Sequence, residues 1–542
     1  MMTTLPVDFL ESLRSIVGSS GVSTEEALRE SMARTTLPQG TRPAGVCYPS
    51  SREQVQRILK AASAHSIPVY PISRGKNWGY GDACASVDGC LILDLSRMNR
   101  IIEVNTELAY AVIEPGVTQG QLVQYLSENH HPLMVDANGA GPDVSLMGNI
   151  LERGFGHSRY GDRFSHCCNL EVVLADGTLL NTGFGSYPHA QAQHVYKHGI
   201  GPSLDGLFTQ SSLGIVTRLT MWLMPKPEHA NFFFVALKDA NAIGLFMDRL
   251  RKLFLSGTLR NTFHCFNDRR LLTGDMSFPW DQADGKKALE VQKPELVRQF
   301  YTQFRIPAWG GSGSLTGSAA EVRAARRTIK RAMRGLPGLD HLVFLDENAV
   351  RWFERGARIL RHIPALSSLT PYAKKLRLGV ELSKGIPLKE SLKGAGWRSR
   401  SGNLDNVDPL ERKAGLIWIS PVLPMTTQGL TDVLIPSEKI FHQFGFEFLV
   451  TLACLNERAL CAVMSLCFDG QSEDEKSRAR ACQQQLLGDL TQKGFIPYRS
   501  ASIFPMKFWE AAPEYWQTVE QLKAAWDPAR ILAPNHYIRT VL

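Results

Sequence analysis

No C-x-x-C pair occurs among the ten cysteines of this 542-residue chain. The adjacent Cys167 and Cys168 offer poor geometry for an ordinary disulfide. Reduced thiols and a cytoplasmic location are therefore expected. No uninterrupted apolar run reaches the roughly 18 residues of a membrane span. The start, Met-Met-Thr-Thr-Leu-Pro-Val-Asp, has no basic region ahead of an apolar core, so no secretory leader is expected. Neither G-x-S-x-G nor H-E-x-x-H occurs, which leaves no nucleophile elbow and no helical zinc pair. His130-His131 precede Pro132 with no third ligand spaced for them, so a helix-end role is expected and no metal. Internal repeats and low-complexity tracts are absent too.

What is present is a globular composition, 44% hydrophobic and 21% charged, in a chain long enough for two or more domains. Part of the +8 net charge lies in Arg323, Arg326, Arg327, Lys330, Arg331 and Arg334. Val322, Ala325, Ile329 and Met333 recur among them at helical spacing, the pattern of a helix with a solvated basic face and not of a nucleic-acid surface. Anionic small ligands would still be drawn to it.

The pattern predicts a helix over 53–66, strands at 67–72, 91–95 and 109–115, and a helix from Thr118 to Asn129 with Thr118 as N-cap. A hairpin over 170–180 turns at Asp176-Gly177. A strand over 215–224 stops at Pro225-Lys-Pro227, the first boundary candidate. Helices follow near 239–255, 319–335, 434–444, 474–493 and 507–526.

The most informative stretch is Pro71-Ile-Ser73-Arg74-Gly75-Lys76-Asn77-Trp-Gly79-Tyr80-Gly81. Glycine tolerates positive φ and lets backbone approach a ligand. Successive N–H groups in such a turn make an anion nest suited to a pyrophosphate. Its spacing is neither G-x-G-x-x-G nor a P-loop. Alone it is more often only a turn. Four further segments stand out: Gly148-Asn149-Ile-Leu-Glu152-Arg-Gly154-Phe-Gly156-His157, Leu204-Asp-Gly-Leu-Phe-Thr-Gln210 running on to Ile215, Glu114-Pro-Gly116, and the tail segments Pro497-Tyr498-Arg499 and Ile531-Leu-Ala-Pro534.

Together the phrases R-G-K-N-W-G-Y-G, G-N-x-x-E-R-G, L-D-G-L-F-T-Q and W-L-M-P-K-P resemble the vanillyl-alcohol oxidase and p-cresol methylhydroxylase family of FAD-dependent oxidoreductases. The match runs from about Tyr48 to Pro227 and then patchily to the end. It implies an α+β chain of two domains, a PCMH-type FAD-binding domain and an α/β cap domain. The expected limits are 1–227 for the FAD-binding part, 228–490 for the substrate cap and 491–542 for a C-terminal segment returning to the site. The resemblance implies that Pro71, Ser73, Arg74, Gly75, Lys76, Asn77, Gly79, Gly148, Asn149, Gly156, His157 and Ile215 hold FAD. It implies that Tyr80, Tyr498 and Arg499 bind the phenolate of a small aromatic, para-substituted substrate, whose benzylic hydride goes to flavin N5. Oxygen or another electron acceptor would then reoxidise the flavin. Homo-oligomers are common in that family, so a homodimer is the simplest assembly. Neither nucleic acid nor membrane is an expected partner.

Several positions depart from the family. Its covalent members tether FAD through a His or Tyr four residues ahead of a Ser-Pro pair. Here the pair is Ser420-Pro421 and the position is Leu416, so the flavin is expected to be non-covalent. His157 stands where phenol oxidisers usually have Tyr. The carboxylate many of them place near N5 falls by spacing on Ala140, with Asp143 as the alternative. The tail reads L-A-P-Asn535-His536 in place of L-A-P-G followed by Lys or Arg. Two competing functions share the fold expectation: oxidation of an aliphatic alcohol, sugar or 2-hydroxy acid, and non-catalytic flavin binding.

Overall fold

The computed structural model describes residues 4–360, 369–400, 407–503 and 508–539. Three sheets carry the architecture, besides a two-stranded pair. The first has four strands in the order Val22–Ser23, Gly45–Cys47, Leu91–Asp94, Val69–Ile72. The last three of these are parallel. Helix Arg52–Ala64 makes the crossover between Gly45–Cys47 and Val69–Ile72. Ser51 caps it by accepting from the Gln54 N–H, and Val55, Ile58, Leu59 and Ala62 are its buried stripe. The glycine-rich loop leaves the carboxyl end of Val69–Ile72, where open parallel sheets bind ligands.

The second sheet is antiparallel: Ile101–Asn105, Tyr110–Ile113, Ile215–Trp222, Cys167–Val173, Leu179–Asn181. Its hairpin turns at Gly177, with φ +80. Helix Gln119–Glu128 has Thr118 as N-cap. Beyond Pro225 an eight-stranded layer begins at His229 and closes at Asp469. Its inner strands are Trp309–Gly317, His264–Asn267, Leu449–Cys454 and Ala459–Asp469, with Ala414–Ile419 beside the last. Helices Ala242–Leu255, Ala319–Met333, Thr427–Gln443 and Glu473–Gln492 cover one face of it. The basic stretch forms helix Ala319–Met333, which buries Ile329 and Met333 and lays Arg326 and Lys330 over the Phe344 ring.

Two helices differ from expectation. Thr427–Gln443 starts seven residues ahead of the expected 434 and runs through Pro436, because its buried side, including Leu430, Val433, Ile440 and Phe441, outweighs one lost hydrogen bond. The expected 507–526 helix is two, Phe508–Ala511 and Pro513–Trp526, broken ahead of Pro513; residue 507 lies outside the described residues. The tail then returns to the first sheet. Val69 donates to the Ile531 carbonyl at 2.7 Å and Ala533 donates back at 2.8 Å. Asn535 takes the left-handed φ of +63 that Asn tolerates well, in place of the missing glycine.

Candidate flavin and substrate site

One cavity of about 580 Å³ is lined from all three sheets, by Ile72, Ile215 and Leu416 among others. At one end lies the glycine-rich loop. The backbone N–H groups of Arg74, Gly75, Lys76 and Asn77 meet no acceptor among the described residues, and Gly75 has φ +60. Unsatisfied donors in a concave turn are a seat for a diphosphate. Ser73 Oγ lies close to Gly148, where a Cβ would come within 2.5 Å of it. Lys76 is committed elsewhere: its Nζ donates to Asp408 at 2.6 Å, tying the loop to the segment ahead of Ala414–Ile419. Arg74 is left to carry charge at the nest.

Pro71, Ser73, Gly148, Asn149, His157 and Ile215 all line the cavity. Gly79 and Gly156 are not among the lining residues. A Cβ on Gly79 would strike the Trp418 indole, and one on Gly156 would strike the Asp136 carboxylate. Both glycines pack the wall from behind. Asp136 in turn is held by buried Arg163 at 2.7 Å.

Tyr80, Tyr498 and Arg499 come together although 418 residues separate the first two in sequence. Tyr498 is fixed by its N–H to the Ser420 carbonyl at 3.1 Å, and Ser502 N–H donates to the Tyr80 carbonyl at 2.8 Å. The Arg499 guanidinium lies 3.9 Å from the Tyr80 ring centre. Tyr80 Oη and Ser420 Oγ are 3.0 Å apart. Burial pushes both tyrosines above their usual range, against the pull of Arg499, so both stay protonated donors. Arg499 Nη2 donates to Asn77 Oδ1 and to Glu152 Oε2, each at 3.0 Å, while its Nε has no partner among the described residues.

Glu152 belongs to the quoted G-N-x-x-E-R-G phrase, yet nothing in its spacing assigned it a role. Burial raises its carboxyl, but Arg499, His536 and Tyr537 more than reverse this and hold it at about 2. Tyr537 donates to it at 2.6 Å and His536 lies 3.4 Å away. His536 thus takes a place in the charge cluster. His264 was likewise missed: its ring stacks on His157 at 4.0 Å and both line the cavity. Burial, with Arg163 nearby, lowers His157 to about 4; burial and His157 lower His264 further.

Asp143 is removed as the N5 carboxylate. It points outward, with its side chain 56% exposed and 3.4 Å from Lys389. Ala140 lines the cavity in its stead and brings no acid. Leu416 is fully buried, lines the cavity and has no nucleophile.

The nest, the flat glycine-lined wall and the long cavity fit FAD. Residues 43–183 match a family model described as an FAD binding domain. The chain is 36% identical to the 1'-carboxy-chondrochloren decarboxylase of Chondromyces crocatus, over 99% of this chain and 98% of that protein. It is 27% identical to the 4-cresol dehydrogenase [hydroxylating] flavoprotein subunit of Pseudomonas putida, over 97% of this chain and 94% of that one. The solved structure of p-cresol methylhydroxylase with substrate bound superposes with a TM-score of 0.88 at 26% identity, covering 98% of this chain and 97% of that one. Sequence likeness along the whole length and a shared fold lead to one conclusion: the chain belongs to the vanillyl-alcohol oxidase and p-cresol methylhydroxylase family of FAD-dependent oxidoreductases.

Proposed function

We propose that this oxidoreductase acts on a para-substituted phenol. The observation that carries it is the convergence of a buried guanidinium and two protonated tyrosine hydroxyls on one cavity wall. A free phenol has a pKa near 10, so ionising it at pH 7 requires about 4 kcal/mol. Two hydroxyl donors and Arg499 in a desolvated pocket supply that scale of stabilisation. Bound FAD contributes a two-electron acceptor for the hydride that the phenolate expels from the para-benzylic carbon. The nest at Ser73–Asn77 would hold its pyrophosphate, with Gly148, Asn149, His157 and Ile215 along its length. With leucine at 416 the flavin is held without a covalent bond. Residues 1–227, 228–490 and 491–542 serve as FAD-binding part, cap and returning tail, and the protein works as a homodimer with oxygen or another acceptor.

The oxidised substrate is a quinone methide, which can take up water. The decarboxylase name of the Chondromyces relative favours a second fate. A carboxylate on the carbon next to the benzylic one can leave as CO2. Its C–C bonding pair then becomes the new double bond, and the ring returns to phenolate. Hydride loss and CO2 loss balance the reaction without water.

The test is anaerobic flavin bleaching by 4-ethylphenol, with D-lactate as control. Bleaching by the phenol alone supports the proposal; bleaching by lactate alone overturns it. Arg499→Ala should slow the phenol reaction by two orders of magnitude or more, about 3 kcal/mol.

A further inference from the structure

We infer that Arg270, on the same cavity, is the binding residue for a carboxylate on the substrate's para side chain. The inference rests on the phenolic proposal and names its substrate class: a para-hydroxyphenyl compound with an anionic tail.

Five lysine and arginine side chains line the cavity: Arg74, Lys76, Arg270, Lys375 and Arg499. Three are ion-paired, Lys76 with Asp408, Lys375 with Asp275 and Arg499 with Glu152. Arg74 stands in the phosphate nest. Arg270 remains, and no ion pair reaches it among the described residues. Its neighbour in sequence, Arg269, meets Asp268, Glu290 and Glu438 at 3.5, 2.9 and 2.8 Å. The contrast is between a structural arginine with three acids and a cavity arginine with none.

Arg270 Nη1 donates to Thr273 Oγ1 at 2.9 Å, while its buried Nε has no partner among the described residues. Space for the guanidinium is kept by Gly394, where any Cβ would strike Nη1. Burial lowers its hold on the proton, opposed in part by the nearby Cys467 thiol, and no carboxylate among the described residues helps. An uncompensated guanidinium out of water is costly unless an anion completes it. A carboxylate matches its planar fork with two charge-assisted hydrogen bonds.

The position suits a tail. His264 and Phe266 face the cavity from one strand, and Arg270 follows in the helix Asp268–Leu272. The Phe155 ring neighbours both His264, at 6.4 Å, and Tyr498, at 5.5 Å, which links this strand to the tyrosine wall. At about 3.3 Å per residue the strand carries the chain roughly 10 Å from His264 to Asn267.

The probes are 3-(4-hydroxyphenyl)propanoate, its methyl ester and 4-ethylphenol. Holoenzyme reduced with dithionite, which cannot oxidise them, should bind the acid at least tenfold more tightly than the ester by calorimetry. Arg270→Gln should abolish that preference, and Arg270→Lys should restore part of it. In turnover, Arg270→Gln should lower the acid-to-ethylphenol ratio of kcat/KM at least tenfold, through KM. Equal binding of acid and ester by the wild-type protein overturns the inference, even if the variant fails to fold. So does an Arg270→Gln protein that keeps the preference, or one that loses FAD affinity alone, which would assign Arg270 to the cofactor. If no phenol bleaches the flavin while the acid preference holds, the phenolic proposal fails and the anion site stands.

Discussion

Glu152 is the residue that sets how much charge Arg499 can offer. The carboxylate shares Nη2 with Asn77 and so offsets part of the guanidinium's field in the cavity. Glu152→Gln should therefore lower the pKa of bound 4-nitrophenol, read from the phenolate absorbance. It should also cost stability, on the order of 3 kcal/mol, because a buried arginine loses its acid. An unshifted bound pKa would show that the pair does not tune the site. The stacked imidazoles give a second residue-scale expectation. His157 takes a proton near 6.5 when unfolded and near 4 when folded. Between those values the unfolded chain binds the proton and the folded one does not, so stability falls as pH drops from 6.5 toward 4. The groups around the pair act in both directions, Arg163 disfavouring the charge and Asp136 favouring it. His157→Phe should flatten that limb of a Tm-against-pH profile.

Among the elements, the returning tail depends on a pair the sequence did not single out. Lys523 and Asp527 are both fully buried in and just after helix Pro513–Trp526, 2.7 Å apart. Lys523 donates to the carbonyls of Ser212 and Leu532 at 2.6 and 2.7 Å. Asp527 accepts from the N–H groups of Ile531 and Leu532 at 3.0 and 2.8 Å. The pair thus ties the Ile531-Leu532 segment of the tail to this helix and to the loop at Ser212. Lys523→Ala should cost about 3–5 kcal/mol by leaving Asp527 unpaired, and should weaken FAD binding, measured by flavin fluorescence on dilution. Most helices and strands were legible because each has a one-sided apolar stripe. The Thr427–Gln443 helix begins seven residues ahead of the expected 434, and only burial of its inner side shows its full length.

For the whole molecule the cofactor is the test of both site and fold. Acid precipitation should leave yellow FAD in the supernatant, since Leu416 has no atom to bond the ring; a yellow pellet would contradict this. Added FAD at about a hundred times its Kd should stabilise the apoprotein by about 2.7 kcal/mol. All ten cysteines are buried and free, and burial raises every thiol, so mild thiol reagents should leave the folded holoprotein unmodified. No helix among the described residues is long and apolar enough to cross a membrane.

The local pattern by itself determined the crossover helix, the glycine loop behind its strand and the hairpin turn, because each is fixed by propensities and φ requirements within a few residues. Tertiary structure alone decided which charges meet. Glu152 with Arg499, Lys76 with Asp408 and His157 with His264 are each more than 100 residues apart in sequence. It also turned Asp143 outward and left Arg270 without an acid among the described residues, since burial and pairing arise only when distant segments share one cavity wall.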